Sequence, residues 1–223
     1  MIGVINMKKF LSKLLSVFLV VLFVFSFSAC SYEISPSKSD DFAIVNEAYT
    51  NLNSAYSEIN TAMSIVSSSW GFSVTCGTKF NASGWSGSSY SYVDTAYANS
   101  IGVDYGDVVT SFRNYYGEDL TASRLYPVVS NISYANGLVQ QIIKDKGIYD
   151  SIDSKLESAK SSIKNISKEN EYCNDIVEYY TELTSYYDFV KSPTGSYSSL
   201  SGTVSSYESK IDSIKNKLSI YFD

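Results

Sequence analysis

The side chains that could carry chemistry in this chain are few, and the missing types exclude whole classes of site. The 223 residues include no histidine and only two arginines, Arg113 and Arg124. Without imidazole, a Ser-His-Asp or Cys-His nucleophile and a His-ligated zinc site are excluded. Because the chain has only two arginines, an arginine-rich phosphate clamp is also excluded. Three cysteines, scattered carboxylates and many aromatic rings remain.

Two pairs of carboxylates have the spacing of one helix face. Asp150 precedes Asp153 by three residues, and Glu178 precedes Glu182 by four. Paired carboxyls can perform acid–base catalysis, but acidic proteins carry such pairs routinely on solvated helix faces. We favour the solvated face. The sequence therefore predicts a protein that is not an enzyme and that holds neither a metal ion nor an organic cofactor.

Cys30 lies at the end of a segment with the layout of an export signal. Its basic residues, Lys8, Lys9 and Lys13, precede a run of fourteen residues, 14–27, that is apolar except for two serines. Small side chains then lead to the cysteine, which is the order of a bacterial secretory signal.

The sequence Phe27-Ser28-Ala29-Cys30 resembles the lipobox of bacterial lipoproteins. That class usually has leucine where this chain has Phe27. The resemblance covers about residues 1–31, and beyond it no family is recognised. It implies removal of residues 1–29, attachment of diacylglycerol to the Cys30 thiol, and a tether over residues 30–39. Lipid on Cys30 would give stable membrane attachment because more than one acyl chain is present.

Two other interpretations of the same segment remain open. A signal peptidase could cut after Ser28 and release the protein. Alternatively, the nineteen uncharged residues 14–32 are about long enough to cross a bilayer uncleaved. All three place the following domain outside the cytoplasm, and the lipobox favours lipid anchoring on the extracytoplasmic side of a bacterial cell membrane.

The net charge of the chain limits the classes of partner that it could bind. Without residues 1–29 the chain has 14 basic and 23 acidic side chains, a net charge of −9. Such a surface repels nucleic acid and anionic headgroups. The predicted partners are therefore the membrane, through the lipid, and a protein or glycan; nucleic acid is excluded.

Cys76 and Cys173 are the two remaining thiols. An exported compartment permits a disulfide between them. The alternative is that both are small apolar fillers of a core, because sequence alone does not show whether their backbones approach each other.

Apolar residues recur at alternating spacings of three and four, from Phe42 to Val66 and again from Tyr197 to Tyr221. This is one face of a helix with coiled-coil periodicity. The first helix is predicted to end at Gly71. The fold class is all-α: one domain over residues 40–223, an elongated antiparallel bundle with heptad-like seams.

Weaker patterns predict the helices in between. One helix is expected over residues 104–116, closing at Gly117, and another from Ala122 to Lys146, with Asn136-Gly137 as a potential interruption. Residues 148–191 form either two helices or one very long helix, and we favour two.

One segment departs from the helical pattern. Residues 67–92 are rich in serine and glycine, and Phe72, Val74 and Cys76 alternate there as in a small hairpin. Five aromatic side chains in this predicted loop are candidate ligand-binding residues: Trp70, Phe72, Phe80, Trp85 and Tyr90. Such rings can stack on sugars or grip a peptide; the favoured alternative is that they cover one end of the bundle.

The twenty tyrosines raise a similar question. In a doublet, both rings cannot lie on one seam, so the partners Tyr116, Tyr179 and Tyr186 either form an adhesive surface or sit at the rim of the core. The sequence thus predicts a non-catalytic, lipid-anchored scaffold or protein-interaction module. The alternative is a glycan- or peptide-binding lipoprotein that uses residues 70–92, and a hydrolase with a carboxylate pair ranks far below both.

Overall fold

The computed structural model describes residues 38–81 and 93–222, leaving aside the side chains at 38–40 and 77–81. All regular secondary structure within these ranges is helical, which confirms the all-α prediction. The helices are α1 (Lys38–Asn81), α2 (Val93–Ile101), α3 (Tyr105–Tyr116), α4 (Ala122–Val129), α5 (Ile132–Asp145), α6 (Ile148–Ile163), α7 (Cys173–Lys191) and α8 (Tyr197–Phe222). Cys30, Trp85 and Tyr90 lie outside the described residues, as does the side chain of Phe80.

The first helix forms the centre of the helical bundle. α1 has 44 residues, a length of about 66 Å, and it contacts α2 and α4 through α8. Two sets of side chains spaced by seven residues are fully buried on it: Val45, Leu52, Ile59 and Val66, and Ala48, Ala55 and Ala62. The alanines let neighbouring helices approach closely, so α1 is covered on more than one side.

The predicted end of the first helix at Gly71 is wrong. α1 continues through Gly71 to Asn81, so residues 67–81 are neither a loop nor a hairpin. Low intrinsic helix propensity is overridden here by tertiary packing: the Ser69 hydroxyl lies 2.9 Å from the Tyr97 hydroxyl of α2, and Phe72 packs edge-on against the same ring. Residues 82–92 of the predicted loop lie outside the described residues.

The predicted helix from Ala122 to Lys146 is two helices, and the break lies earlier than expected. α4 ends at Val129, and α5 begins after Asn131, whose side-chain oxygen accepts hydrogen bonds from the backbone N–H groups of Ser133 at 2.9 Å and Tyr134 at 3.4 Å. Asn131 is therefore an N-cap, and Gly137 lies within α5 without interrupting it.

Two other boundaries were predicted correctly, whereas α2 (Val93–Ile101) was not predicted from the sequence. α3 ends where Gly117 takes the left-handed conformation at φ 70°, which glycine adopts without strain. Residues 148–191 form two helices, α6 and α7, as favoured. Since each of the eight described helices contributes buried side chains to one hydrophobic cluster, the elements that carry the candidate site share a single core.

Candidate functional site

Two of the predicted ligand-binding aromatics belong to the core or pack against it. Trp70 is 3% exposed, and its Nε1 donates to Asn136 Oδ1 of α5 at 3.3 Å. Phe72 is half-buried against Tyr97. The buried Trp70 indole thus fastens the C-terminal half of α1 to α5 and leaves little ring surface for a ligand.

Cys76 and Cys173 do not form a disulfide. Cys76 is buried near the end of α1, and burial raises the pKa of its thiol to about 11. Cys173 follows Tyr172, whose ring packs on Phe222, and Phe222 packs on Phe42 at the start of α1. The 34 residues between Phe42 and Cys76 span about 50 Å of helix, far beyond the reach of a disulfide.

The tyrosine doublets of α7 are buried, contrary to the expectation that only one ring of each could be. Tyr179 and Tyr186 are fully buried, and Tyr180 and Tyr187 are 5% and 2% exposed. The alternative of an adhesive surface is therefore wrong for Tyr179 and Tyr186. Both faces of α7 are occupied because it packs on α1 and α8 and also on α6.

Contacts of the individual rings show this division. The Tyr179 hydroxyl donates to Asn53 Oδ1 of α1 at 2.8 Å, and Tyr186 stacks on Tyr207 of α8 with ring centroids 5.2 Å apart. On the other face, the Tyr187 hydroxyl donates to the Tyr149 carbonyl of α6 at 3.3 Å.

The remaining doublet, in α3, lies at the surface, and a third tyrosine on α5 is close enough to influence the pKa of Tyr116. Tyr115 and Tyr134 are 50% and 60% exposed, while Tyr116 is half-buried. The rings of Tyr115 and Tyr116 meet edge to face at 4.8 Å. We call Tyr115, Tyr116 and Tyr134 the distal tyrosine surface, since Gly137 beside Tyr115 follows Asn136, which contacts Trp70 in the half of α1 away from Phe42.

Polar contacts between α3 and α5 hold this surface in place. Asn114 Nδ2 donates to Asp145 Oδ2 at 2.9 Å, and Lys146 Nζ pairs with Asp107 at 2.6 Å. Desolvation alone would raise the pKa of Asp145, but hydrogen bonds, that from Asn114 foremost, outweigh it and lower the pKa. The carboxylate therefore stays ionised at neutral pH.

Gly137 provides the space for Tyr115. A Cβ atom at position 137 would lie 2.5 Å from the Tyr115 hydroxyl, so the phenol rests directly on the backbone of α5. Burial raises the pKa of Tyr116, and the phenols of Tyr115 and Tyr134 raise it further. Tyr116 is therefore a protonated hydroxyl at neutral pH.

Ser151, Lys155 and Glu58 form a hydrogen-bonded cluster between α6 and α1. Lys155 Nζ lies 2.6 Å from Ser151 Oγ and 2.5 Å from Glu58 Oε1. Both the ammonium and the hydroxyl donate to that carboxylate oxygen. The ion pair and the hydroxyl contact link α6 to α1.

The predicted carboxylate pairs are not brought into a cleft. Glu182 lies 3.7 Å from Lys210 of α8, and Glu178, Asp150 and Asp153 are exposed on their helices. Within residues 38–81 and 93–222, no three His, Cys, Asp or Glu side chains are placed to bind a metal ion.

A shallow groove of about 560 Å³ runs between α1 and α6. Its lining offers hydroxyl, amide and carboxylate groups and no cationic side chain: Ile44, Glu47, Ser154, Glu157, Ser158, Ser161, Ser162 and Asn165. Two carboxylates without a cation repel anionic ligands, so the groove has no counterpart for a phosphate or carboxylate.

Comparison with known proteins adds no relative. No family model, curated protein or solved structure matches the chain. None of the described helices is long and apolar enough to cross a bilayer.

The distal tyrosine surface is thus the arrangement best suited to contact a partner. Sequence reasoning named Tyr116 but missed Tyr134. A signal for Tyr134 was present: it lies off the apolar seam that includes Ile132 and Ala135. Asn131 is an N-cap residue type, which would start a new helix with Tyr134 in its first turn, but the neighbourhood of this turn to α3 does not follow from the sequence.

Proposed function

We propose that this chain is a bacterial lipoprotein, anchored by lipid on Cys30, whose exported helical domain acts without catalysis as a scaffold or protein-docking module. The observation that carries the anchor is the order of basic residues, apolar run and Phe27-Ser28-Ala29-Cys30. The tether then joins the lipid to the start of α1 at Lys38. The domain stands on the extracytoplasmic side of the membrane.

We further infer an elongated antiparallel arrangement with heptad-like seams. Contacts at both ends of α8 support it: a Cβ at Gly71 would lie 3.0 Å from the Tyr197 hydroxyl, while Phe222 packs on Tyr49. As α8 advances from Tyr197 to Phe222, its neighbours on α1 move back toward the N-terminus. A long body of this kind carries its far end away from the membrane.

The distal tyrosine surface supports protein docking. Tyrosine is enriched in protein interfaces because its ring buries a large area at small entropic cost, and its hydroxyl bonds at the rim. Tyr115 and Tyr134 are exposed, while contacts between α3 and α5 hold their helices in position. A preorganised aromatic surface loses little freedom when it binds.

Glycan or peptide binding is a second candidate, favoured by one observation: exposed tyrosine rings can also stack on sugars. Trp70 no longer supports it because its indole is buried. The candidate therefore depends on Tyr115 and Tyr134, together with Trp85 and Tyr90 outside the described residues.

The anchor is tested by metabolic labelling with an alkyne fatty acid in a bacterial host. We expect label on the wild-type protein and none on Cys30→Ala, which leaves the membrane fraction. Cys76→Ala and Cys173→Ala are the matched controls, because each removes one thiol and retains Cys30. Label that persists in Cys30→Ala would contradict lipid attachment at that residue.

The docking role is tested by a photo-cross-linking amino acid at Tyr134, with Ser206, an exposed residue of α8, as the control site. A protease-sensitive adduct at position 134, absent at position 206 and lost in Tyr115→Ala, supports protein docking. An adduct removed by glycosidases instead supports the glycan candidate. Equal adducts at the two positions would contradict a docking role for this surface.

A further inference from the structure

The end of the bundle opposite the distal tyrosine surface is also aromatic. The Phe222 ring, at the end of α8, packs on Phe42 and Tyr49 of α1 with ring centroids 5.3 Å apart in both cases. Tyr172, just before α7, lies 4.7 Å from Tyr221 and 5.5 Å from Phe222. These five rings form the proximal cluster, where the beginnings of α1 and α7 meet the end of α8.

Only the inner part of the proximal cluster is shielded. Tyr49 is 3% exposed, whereas Phe42 is 46% exposed and Tyr221 is 52% exposed. The adjoining Ile220 is 78% exposed. Within the described residues, the exposed large hydrophobic side chains without a polar atom are Phe42, Val74 and Ile220, so two of the three belong to this end. The proximal end thus presents an apolar surface of its own.

The chain that precedes α1 limits how far this end can lie from the membrane. Seven residues, 31–37, separate Cys30 from Lys38, the first residue of α1. Even fully extended, seven residues span at most about 25 Å. Lipid on Cys30, the anchor of the proposed function on which this inference rests, therefore keeps the proximal cluster close to the headgroups.

The chemistry of the exposed side chains matches the headgroup region of a bilayer. Tyrosine is enriched at membrane interfaces because its ring is apolar and its hydroxyl reaches water, and phenylalanine and aliphatic side chains insert beside it. Near this end, Lys217 Nζ pairs with Asp175 at 2.7 Å, so the charges of these two side chains neutralise each other. The chain from Cys30 onward has a net charge of −9, so attraction to anionic lipid does not drive the contact.

We propose that the proximal cluster is a second membrane contact, in which Phe42, Ile220 and Tyr221 insert among the headgroups of the leaflet that holds the Cys30 lipid. Three side chains bind a membrane weakly by themselves. The tether makes the contact intramolecular, at an effective concentration of about millimolar. Two attachments at one end fix the orientation of the bundle and direct the distal tyrosine surface away from the bilayer.

The test uses the full lipidated protein in phosphatidylcholine vesicles that contain bromine-labelled acyl chains, which quench nearby tryptophan. Tyr221→Trp and Tyr134→Trp are matched variants, because both replace an exposed tyrosine and share the native Trp70 and Trp85 signal. Side chains at a membrane interface enter the boundary between headgroups and acyl chains to a depth of about 5–10 Å. An inserted indole at position 221 would therefore lie near the bromine-labelled chains. We expect the fluorescence gained in Tyr221→Trp to be quenched and that gained in Tyr134→Trp to be unaffected.

A second substitution shows whether insertion depends on the apolar surface. Ile220→Asp changes a side chain that is 78% exposed, so the fold is retained, and it places a charge beside position 221. Combined with Tyr221→Trp, it should remove most of the quenching while the protein still floats with the vesicles. Equal quenching of Tyr221→Trp and Tyr134→Trp in floated protein would overturn the inference. Wild-type protein that fails to float would instead overturn the lipid anchor.

Discussion

Two regions of the molecule carry the same dipeptide in opposite surroundings. Tyr-Tyr occurs twice in α7, where all four rings are at most 5% exposed, and once at the end of α3, where Tyr115 is 50% exposed. The difference lies in the number of neighbours. α7 packs between α6 on one side and α1 with α8 on the other, while α3 packs chiefly on α5.

A tyrosine doublet therefore indicates a surface only where its helix is covered on one side. In α7, consecutive rings point to different neighbours, and each contributes to the core. In α3, the second ring, Tyr116, contacts Phe112 at 4.7 Å, and the first remains at the surface. The sequence of the dipeptide is the same, so its role is set by the packing of the helix.

High pH is expected to have the largest effect, through the buried tyrosines. Burial raises the pKa of Tyr97, Tyr179, Tyr186 and Tyr187, and it raises that of Tyr56 to about 12. The unfolded chain loses these protons near pH 10 and the folded chain keeps them, so the free energy of unfolding falls as pH rises above about 10. At pH 11, each fully buried phenol lowers the free energy of unfolding by about 1.4 kcal/mol relative to neutral pH.

Four such phenols together lower the free energy of unfolding by about 6 kcal/mol at pH 11, comparable to the stability of a typical domain. Circular dichroism and tyrosinate absorbance, followed together, should change in one transition. Tyr186→Phe should move this transition to higher pH, and Tyr134→Phe should leave it in place. Tyrosinate formation by most tyrosines near pH 10 without loss of helix would contradict the burial of α7.

Truncation of single rings is expected to have the next largest effect. Tyr186→Ala empties a fully buried site in α7 and should cost about 3–5 kcal/mol of unfolding free energy. Tyr115→Ala removes a half-exposed ring of α3 and should cost less than about 1 kcal/mol. Urea unfolding measures both, and similar losses in the two variants would remove the distinction between the regions.

Removal of a single hydroxyl is expected to change stability differently at two buried tyrosines of α7. The Tyr179 hydroxyl donates to Asn53, so Tyr179→Phe should cost about 1 kcal/mol. The Tyr186 hydroxyl is buried and has no hydrogen-bond partner among the described residues. Tyr186→Phe relieves this desolvation and should be neutral or stabilising by about 1 kcal/mol. Thermal unfolding at neutral pH compares the two; a larger loss in Tyr186→Phe would show that its hydroxyl is bonded.

The smallest effect on stability is expected from Gly137→Ala. Alanine favours the helix by about 0.5–1 kcal/mol over glycine, but its Cβ would meet the Tyr115 hydroxyl at 2.5 Å. The phenol is exposed and can rotate away, so the net change should be within about 1 kcal/mol. The near-ultraviolet circular dichroism of the Tyr115–Tyr116 pair should weaken, and so should cross-linking at Tyr134. An unchanged spectrum would show that the ring does not rest on Gly137.

The sequence predicted most of the helices because their apolar spacing is long and regular. It was wrong where tertiary contacts override local signals. Gly71 and its serine-rich neighbours favour a helix end, but packing of Ser69 and Phe72 on Tyr97 continues the helix. The break between α4 and α5 depends on a side-chain cap at Asn131, which has no signature in the apolar pattern.

The sequence showed that the candidate site would be rich in aromatic residues, but it did not show which rings would be exposed. Aromatic enrichment near Trp70 was visible in the sequence, but which rings are buried depends on where α2 and α5 pack, and their positions do not follow from local spacing. Tyr115 and Tyr134 are nineteen residues apart, and they lie on neighbouring helices because Asp107 and Asn114 of α3 bind the end of α5. Contacts between helices of this kind are set by the whole bundle.

The central claim, a lipid-anchored helical body with different surfaces at its two ends, is tested most directly by the mass of its N-terminal peptide. The protein is purified from bacterial membranes in detergent, digested, and analysed by mass spectrometry. The account predicts a peptide that begins at Cys30 and carries diacylglycerol on the thiol. A Cys30 that retains residues 1–29, or a mature N-terminus whose cysteine bears no lipid, would contradict it.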